Sequence, residues 1–359
     1  LTIYGANNIK EVIDHFNEDQ IIQPTQNLLN IEEEELPIFD FADVKGQENV
    51  KRGLEIAATG GHNIVLIGPP GSGKSMLAKR IPTILPPLSI DEAMETTKIY
   101  SVSGLIKGDI SVVNKRPFRN PHHTVSNVAL VGGGSNPKPG EISLAHNGVL
   151  FLDELPEFKR NVLEVLRQPL EDREVTVSRA MKSVVYPASF MLVAAMNPTP
   201  SGDYYDPHSQ HADSAYNVKR YLDKLSGPLM DRIDLQIEVL PVPFDKLSNI
   251  RASESSIEIK KRVINARNLQ QKRFSGLKGV YCNAQLTDQL MDKYCDIDEK
   301  GNEILKSAVN NLKLSARSYT RIRKVSRTIA DMEQSKKIKA EHVAEAIQYR
   351  SLDRMNQFI

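Results

Sequence analysis

The chain of 359 residues contains no tryptophan, and its only cysteines are Cys282 and Cys295. Two cysteines build neither a disulfide framework nor a structural zinc site, so we expect packing residues in a reducing cytoplasm and no bound zinc. The sequence also lacks any apolar run near the ~18 residues that span a bilayer, and no secretory signal is visible. No membrane partner is therefore expected, and the predicted location is cytoplasmic.

A strong excess of charge of either sign is also missing. The 46 basic and 45 acidic residues leave a formal net charge of +1. Any binding to nucleic acid must therefore come from local basic patches. The hydrophobic share of 40% and the charged share of 25% are ordinary for soluble globular proteins.

Three segments differ in pattern and define the predicted domains. Residues 1–36 contain one pattern of helical spacing, followed by an acidic run that indicates a solvated linker. In residues 37–245, short β-rich runs alternate with helical patterns. In residues 246–359 the strand signal stops, and the pattern indicates an all-α domain.

Four near-continuous apolar runs lie in the middle segment. Such runs are typical of parallel strands that are buried on both faces. Because helical patterns separate them, the predicted fold class is α/β, with a doubly wound parallel sheet. The runs are "NIVLIG" (63–68), "GVLFLDE" (148–154), "SFMLVAAMNP" (189–198) and "IDLQIEVLPV" (233–242).

The stretch "GPPGSGKS" at 68–75 fits the pattern of a phosphate-binding loop between a strand and a helix. Glycines allow backbone N–H groups to close around phosphate oxygens, and the helix N-terminus adds a favourable dipole. Lys74 is expected to reach the β- and γ-phosphates of a nucleotide, and Ser75 to ligate Mg²⁺. The alternative is a glycine-rich turn without a ligand. The predicted nucleotide contacts in this loop are Gly68, Pro69, Pro70, Gly71, Ser72, Gly73, Lys74, Ser75 and Met76.

Two other predicted strands end in polar residues. Asp153 follows one of them, at the end where ligands bind in open α/β sheets, and is expected to hold Mg²⁺ through water. Glu154 would then polarise the attacking water, although an acidic helix cap is the alternative for both residues. Asn197 follows another strand and could bind the γ-phosphate or the lytic water, whereas its Asn-Pro sequence also favours a simple turn.

The order of phosphate loop, Asp-Glu strand, Asn strand and helical domain resembles the AAA+ ATPases. The resemblance implies ATP as the nucleotide and a helical lid. The stretch "DVKGQENV" (43–50) resembles the segment near adenine, which implies contacts from Val44 and Gly46.

Two arginines gain roles from the same resemblance. "GPLMDRID" (227–234) resembles the arginine-finger segment, which implies Arg232 at the γ-phosphate of the next subunit. The alternative for Arg232 is a surface ion pair with a neighbouring aspartate. "LSARSYTRI" (314–322) resembles the sensor-2 helix, which implies Arg317 at the phosphates of its own subunit, with Arg321 as the second choice.

Longer stretches at 116–158, 166–198 and 221–239 resemble the magnesium-chelatase-like AAA+ proteins of the ComM/YifB type. The resemblance runs from about residue 40 to the end. It implies a hexamer formed with ATP and a DNA helicase that promotes branch migration in recombination and natural transformation. Residues 1–36 would be the tail of a Lon-protease-like domain. Relatives often carry a cysteine-rich loop, but the loop at 199–215 has no cysteine, so zinc-dependent contacts are not expected.

Two predicted hairpins, at 129–145 and 174–188, carry the candidate DNA contacts Lys138, Arg179 and Lys182. By resemblance they would be the helix-2 insert and the pre-sensor-1 hairpin that line a central channel. Phosphate contacts of this kind release counterions, so DNA binding should weaken with salt. The alternative is two solvated loops with incidental charges.

A second basic cluster, "RPFRNPHH" (116–123), leaves three interpretations open: contact with DNA, phosphate sensing, or pairing with carboxylates. The leading functional hypothesis is an ATP-driven, ring-forming DNA motor. Its rivals are a chelatase motor and a chaperone-type remodeller of protein complexes. The remodeller is disfavoured because neither hairpin tip carries an aromatic residue, and Tyr186 lies toward the base of the second hairpin.

Overall fold

The computed structural model describes residues 4–6, 8–24, 39–106, 112–134, 137–179, 182–202, 214–242, 253–277 and 279–350. The chain forms two compact units, Leu1–Ile38 and Phe39–Ile359. The first contains the predicted helix, α1 (Ile9–Phe16), whose N-terminus is capped by the side chain of Asn8. Across these described ranges, no helix is both long and apolar enough to cross a membrane.

The second unit combines short strands with helices. The strands are β1 (Ile64–Ile67), β2 (Phe118–Arg119), β3 (Gly132–Gly133), β4 (Lys138–Pro139), β5 (Val149–Leu152), β6 (Glu174–Arg179), β7 (Lys182–Pro187), β8 (Met191–Met196) and β9 (Leu235–Glu238). The helices are α2 (Glu48–Gly60), α3 (Lys74–Ile84), α4 (Ile90–Ser103), α5 (Asn127–Val131), α6 (Glu141–Leu144), α7 (Arg160–Glu164), α8 (Arg167–Asp172), α9 (Ala215–Leu222), α10 (Gly227–Met230), α11 (Ser256–Arg273), α12 (Asp288–Tyr294), α13 (Glu299–Asn311), α14 (Ala316–Met332) and α15 (Ala340–Gln348).

Five strands form a parallel sheet in the order β2-β5-β8-β1-β9. The four predicted apolar runs supply β1, β5, β8 and β9, so the predicted parallel α/β sheet is confirmed. Alternate side chains of a strand point to opposite faces. Ile64 and Leu66 pack in the core on one face, and Val65 and Ile67 pack in the core on the other.

The helices after residue 253 share a core with the sheet. Ile259 on α11 and Ile322 on α14 belong to the same buried cluster as Ile64. In the described part of the segment predicted to be all-α, the helical pattern is confirmed by α11, α12 and α14. The predicted domain boundaries at 36/37 and 245/246 lie outside the described residues and stay predictions.

Of the two predicted hairpins, the second is confirmed and the first is only partly correct. Strands β6 and β7 pair antiparallel, with Arg179 opposite Lys182. In the first, β3 and β4 pair over two residues each, but the flanking apolar runs form α5 and α6 instead of strands. The physical reason is that apolar runs of four or five residues do not distinguish a short helix from a strand.

Candidate active site

The predicted catalytic groups follow the carboxyl ends of three adjacent strands. The phosphate-binding loop follows β1, Asp153 and Glu154 follow β5, and Asn197 follows β8. The sheet order β5-β8-β1 places these three ends side by side. Carboxyl ends of parallel strands are where open α/β sheets bind ligands.

The loop at 68–75 has the backbone that its glycines predict. Gly73 has a φ of 94°, and a Cβ on Gly68 would lie 2.1 Å from the carbonyl oxygen of Val239. The Lys74 ammonium donates hydrogen bonds to the carbonyl oxygens of Gly68 at 2.7 Å and Pro69 at 2.8 Å. Burial lowers the pKa of Lys74, and the nearby charge of Asp153 opposes this shift. The loop therefore presents a cation at the start of α3.

Oxygen ligands suited to Mg²⁺ lie beside this cation. The Ser75 hydroxyl donates a hydrogen bond of 2.6 Å to the Asp153 carboxylate, whose other oxygen accepts from the backbone N–H of Glu154 at 3.0 Å. Hydroxyl and carboxylate oxygens are ligands that Mg²⁺ prefers. The pair Ser75–Asp153 therefore fits a magnesium ion bound next to a triphosphate.

Glu154 has an unusual backbone and a histidine partner. Its φ is 53°, in the left-handed region that non-glycine residues seldom adopt. The Oε2 atom lies 3.2 Å from Nδ1 of His123, and the Glu154 side chain is 62% exposed. His123 also makes an edge contact with the Phe158 ring. The expected water-polarising carboxylate is thus accessible, but one of its oxygens is engaged.

Asn197 closes the site from the β8 side. Its Oδ1 accepts a hydrogen bond from the Lys74 ammonium at 3.2 Å. The Tyr221 hydroxyl donates to the Asn197 carbonyl at 3.2 Å, and burial raises the pKa of Tyr221 to about 12. A cavity of about 80 Å³ lies between these groups. It is lined by Lys74, Asp153, Glu154, Glu157, Met196, Asn197, Pro200 and Tyr221.

The segment expected near adenine reaches the loop through a residue that the sequence analysis missed. Val44 is 1% exposed, and Gly46 has a φ of 65°. The following residue, Gln47, donates from its side-chain amide to the carbonyl oxygens of Ser72 at 2.9 Å and Leu240 at 3.2 Å. Gln47 lies in the stretch expected near adenine and His123 in the basic cluster at 116–123, but their partners and that of Tyr221 could not be predicted, because these contacts are long-range.

Arg232 lies at the opposite edge of the sheet from the phosphate-binding loop. The Asp234 carboxylate, just before β9, accepts a hydrogen bond of 2.8 Å from the backbone N–H of Asn63, just before β1. The four residues of β1 separate this edge from the loop by about 13 Å at ~3.3 Å per residue. The Arg232 side chain is 5% exposed and pairs with Glu171. The alternative of a surface pair with a neighbouring aspartate is therefore wrong.

The expectation that Arg317 faces the phosphates of its own subunit is also wrong. Arg317 lies 3.6 Å from Asp231, and Arg321, the second choice, lies 3.2 Å from Asp234. Both pairs are at the amino-terminal edge of the sheet. The physical reason is that α14 packs on α2 and α11, which directs its first turn to this edge.

The basic cluster at 116–123 pairs with carboxylates. Arg116 forms two hydrogen bonds to Glu92, at 2.9 and 3.0 Å, and Arg119 forms two to Glu141, at 2.6 and 2.7 Å. Together with the contact between His123 and Glu154, these pairs favour the third of the interpretations left open by the sequence.

Among the candidate DNA contacts, Lys138 is exposed on β4. Arg179 and Lys182 form the last residue pair of the β6–β7 hairpin, and their side chains lie outside the described part. Most of the cysteine-free loop, 203–213, lies outside the described residues as well.

A family model for the magnesium chelatase subunit ChlI matches residues 40–247. The chain belongs to the ChlI family. A second model, for the C-terminal part of ChlI, matches residues 253–350. Membership of the ChlI family agrees with the predicted AAA+ fold, with its parallel sheet and its helical C-terminal region.

Several curated proteins are similar in sequence to this chain over most of its length. The protein YifB of Salmonella typhimurium is 48% identical over 321 residues, which cover 88% of this chain and 61% of YifB. The competence protein ComM of Haemophilus influenzae is 47% identical over 322 residues, 89% of this chain and 61% of ComM. The 38 kDa magnesium-chelatase subunit of Rhodobacter capsulatus is 26% identical over 223 residues. The chain thus spans 61% of the length of the first two relatives.

Proposed function

We propose that this protein is an ATP-hydrolysing, ring-forming AAA+ motor that acts on DNA. The observation that carries the proposal is the convergence of Lys74, the Ser75–Asp153 pair and Asn197 at one edge of the sheet. These three features are what triphosphate binding with Mg²⁺ requires.

Each residue then has a role that its position supports. Lys74 balances charge on the β- and γ-phosphates, and Ser75 with Asp153 holds Mg²⁺, which supplies charge neutralisation when bound. The exposed Glu154 carboxylate accepts the proton of the attacking water. Asn197, fixed at 3.2 Å from Lys74, orients that water or the γ-phosphate.

The nucleotide site is completed, we infer, by the next subunit of a hexamer assembled with ATP. Arg232 lies at the edge away from its own phosphate-binding loop, so only a neighbour's nucleotide is in its reach. To serve as the finger it must exchange Glu171 for the γ-phosphate. An arginine supplied in this way can contribute about 10³ to 10⁵ in rate.

Two hairpins support DNA as the substrate. Lys138 is exposed at the first, and the second carries Arg179 and Lys182 at its last pair. Tyr186 is buried and donates its hydroxyl proton to the Pro137 carbonyl at 2.8 Å, so it is not free to grip a polypeptide. One relative is named the competence protein ComM.

The test is the ATP turnover rate with single-stranded and forked DNA at two salt concentrations. Stimulation by DNA that disappears at high salt is expected, because phosphate contacts weaken steeply with salt. A rate that no DNA changes contradicts the DNA part of the proposal and favours a protein remodeller.

The alternative of a chelatase motor has one observation in its favour, the match to ChlI itself. In that function, turnover of ATP would drive insertion of Mg²⁺ into a porphyrin by a partner. Stimulation of the ATPase by a chelatase partner with porphyrin, with no response to DNA, would favour this alternative.

A further inference from the structure

Residues 40–47, which we call the leading segment, run beside the phosphate-binding loop. Gln47, at the end of the segment, donates from its side-chain amide to the Ser72 carbonyl in the loop and to the Leu240 carbonyl. Leu240 follows β9, and β9 lies next to β1 on the side away from β8. The leading segment therefore lies on the β9 side of the loop, whereas the carboxylate and amide of the candidate active site lie on the β8 side.

The direction of a bound nucleotide follows from these positions. In the proposed function, the γ-phosphate lies beside Asp153 and Asn197, at the ends of β5 and β8. The sheet order β8-β1-β9 then directs the nucleoside, at the other end of the phosphate chain, across the loop and toward β9. The leading segment lies there, with Val44 buried in its middle. The nucleoside therefore meets the leading segment, a step that rests on the proposed function.

Arg80 connects the leading segment to α3, the helix that begins in the phosphate-binding loop. Its side chain is buried, with 7% of the residue exposed. The Nε atom donates to the Asp40 carbonyl at 2.7 Å, and Nη2 donates to the Asp43 carboxylate at 3.1 Å. Nη1 donates to the Met76 carbonyl, in the first turn of α3, at 3.1 Å. One side chain thus fixes two points of the leading segment against the helix that follows the loop.

These contacts use the shape of the guanidinium group. It presents five N–H donors in a rigid planar fork, so its three nitrogens bind three acceptors that lie in different directions. Hydrogen bonds from a charged donor are also stronger than those between neutral groups. A lysine carries a single ammonium on a flexible stem and cannot reproduce the arrangement. Because each nitrogen of Arg80 has a protein partner, the residue acts on a nucleotide through the segment and not by direct contact.

The leading segment is held on its other side by the start of the helical part. The Asp40 carboxylate accepts from the backbone N–H of Ser256 at 2.9 Å, and the Ser256 hydroxyl accepts from the backbone N–H of Phe41 at 2.9 Å. The Ser253 hydroxyl donates to the Val44 carbonyl at 2.6 Å. Without the arginine, the segment would remain attached to α11 but would lose its fixed position relative to α3. We therefore expect a folded chain with a misplaced segment.

We propose that Arg80 is a positioning residue for the nucleoside of the bound nucleotide. It fixes the leading segment beside the phosphate-binding loop, so binding of the nucleoside depends on Arg80 and binding of the phosphates does not. This role deepens the proposed ATPase, because it separates recognition of the nucleoside from recognition of the phosphates.

The test compares two ligands on the full chain by calorimetry with Mg²⁺, namely ADP and inorganic pyrophosphate. Pyrophosphate carries the phosphates of ADP without the nucleoside. Arg80→Gln should weaken ADP binding about tenfold or more and change pyrophosphate binding by less than about twofold. Equal weakening of both ligands, or native binding of ADP, would overturn the proposal.

Asp43→Asn provides the same test if Arg80→Gln fails to fold, since the Asp43 side chain is 59% exposed. Loss of this exposed charge should weaken ADP binding by about 1.4- to 5-fold and leave pyrophosphate binding unchanged. Unchanged binding of ADP, or an equal loss for pyrophosphate, would again contradict the role of the segment.

Two control variants separate this role from a general loss of stability. Lys79→Gln, at an exposed position of α3, should leave the binding of both ligands unchanged. Arg273→Gln removes a contact of 2.8 Å to Asp331 in the helical part and should also spare both. A selective loss of ADP binding in Arg273→Gln would overturn the proposal, because the loss would then follow stability. A native chain that binds neither ligand would instead contradict the proposed ATP site itself, and the role of Arg80 with it.

Discussion

Replacing His123 with alanine tests how Glu154 is held. Because His123 occupies one oxygen of the expected base, its removal should free the carboxylate for water and raise the basal rate of ATP hydrolysis. The two side chains are 30% and 62% exposed, and pairs of this kind are worth about 0.2–1 kcal/mol. If that energy is regained in the transition state, the rate rises about 1.4- to 5-fold.

The assay is steady-state phosphate release without DNA, at saturating ATP and neutral pH. His122→Ala is the matched control, since the His122 ring lies 4.0 Å from the His123 ring at a tilt of 36° and its polar contact is to Thr124. A rate that falls tenfold or more in His123→Ala would refute the reasoning, because His123 would then assist the chemistry. An equal rise in His122→Ala would show that the effect comes from the loop and not from the pair.

Three further predictions follow from the contacts. Glu154→Gln should retain ATP binding in a titration, whereas its rate of phosphate release should fall about 10²- to 10⁴-fold. A normal rate of phosphate release would show that Glu154 is not the base. Gln47→Leu removes a hydrogen bond to the Ser72 carbonyl in the phosphate-binding loop. Because such a bond contributes ~1 kcal/mol, the Kd for ATP should rise about fivefold. An unchanged Kd would contradict the idea that Gln47 supports the loop. Asp234→Asn should lower the free energy of unfolding in urea at pH 7 by about 3–5 kcal/mol, because it leaves Arg321 buried without its carboxylate.

The same aspartate predicts a dependence on pH. Burial opposes the charge of Asp234, but Arg321, His62 and the backbone of Asn63 hold its pKa well below the usual range. A carboxyl group with a lowered folded pKa stabilises the fold above its unfolded pKa of ~3.9, and this contribution is lost as pH falls toward the folded value. The native chain should therefore lose stability below about pH 4 more steeply than Asp234→Asn. Parallel curves for the two proteins would contradict the assignment.

Local pattern was enough to predict the sheet and the phosphate-binding loop. The run "NIVLIG" and the following glycines specify a buried strand, a tight loop and a helix within a few residues of each other. The two-residue strand β2 lies beside Pro117 and has no pattern of its own; it exists because Phe118 pairs with Val149. Likewise, α5 and α6 are too short for periodicity to identify them.

The residues of the candidate site that belong to sequence motifs could be predicted, whereas the residues that reach the site through tertiary packing could not. Ser75 and Asp153 lie 78 positions apart, yet each is marked by its own motif, and they meet at 2.6 Å. Gln47 and His123 lie in stretches that the sequence marks, but nothing in the sequence identifies their partners Ser72 and Glu154. The predicted position of Arg317 was wrong for the same reason. The orientation of α14 depends on its packing against α2, which the motif around Arg317 does not reveal.

A mixing experiment tests the central claim most directly. Lys74→Ala should not turn over ATP, and Arg232→Ala should bind ATP but hydrolyse it poorly. Mixed at equal amounts, the two should regain a substantial part of the native ATPase rate, because an intact loop then meets an intact arginine at the contact between subunits. A mixture no more active than the sum of its two components would contradict hydrolysis at a site shared between subunits.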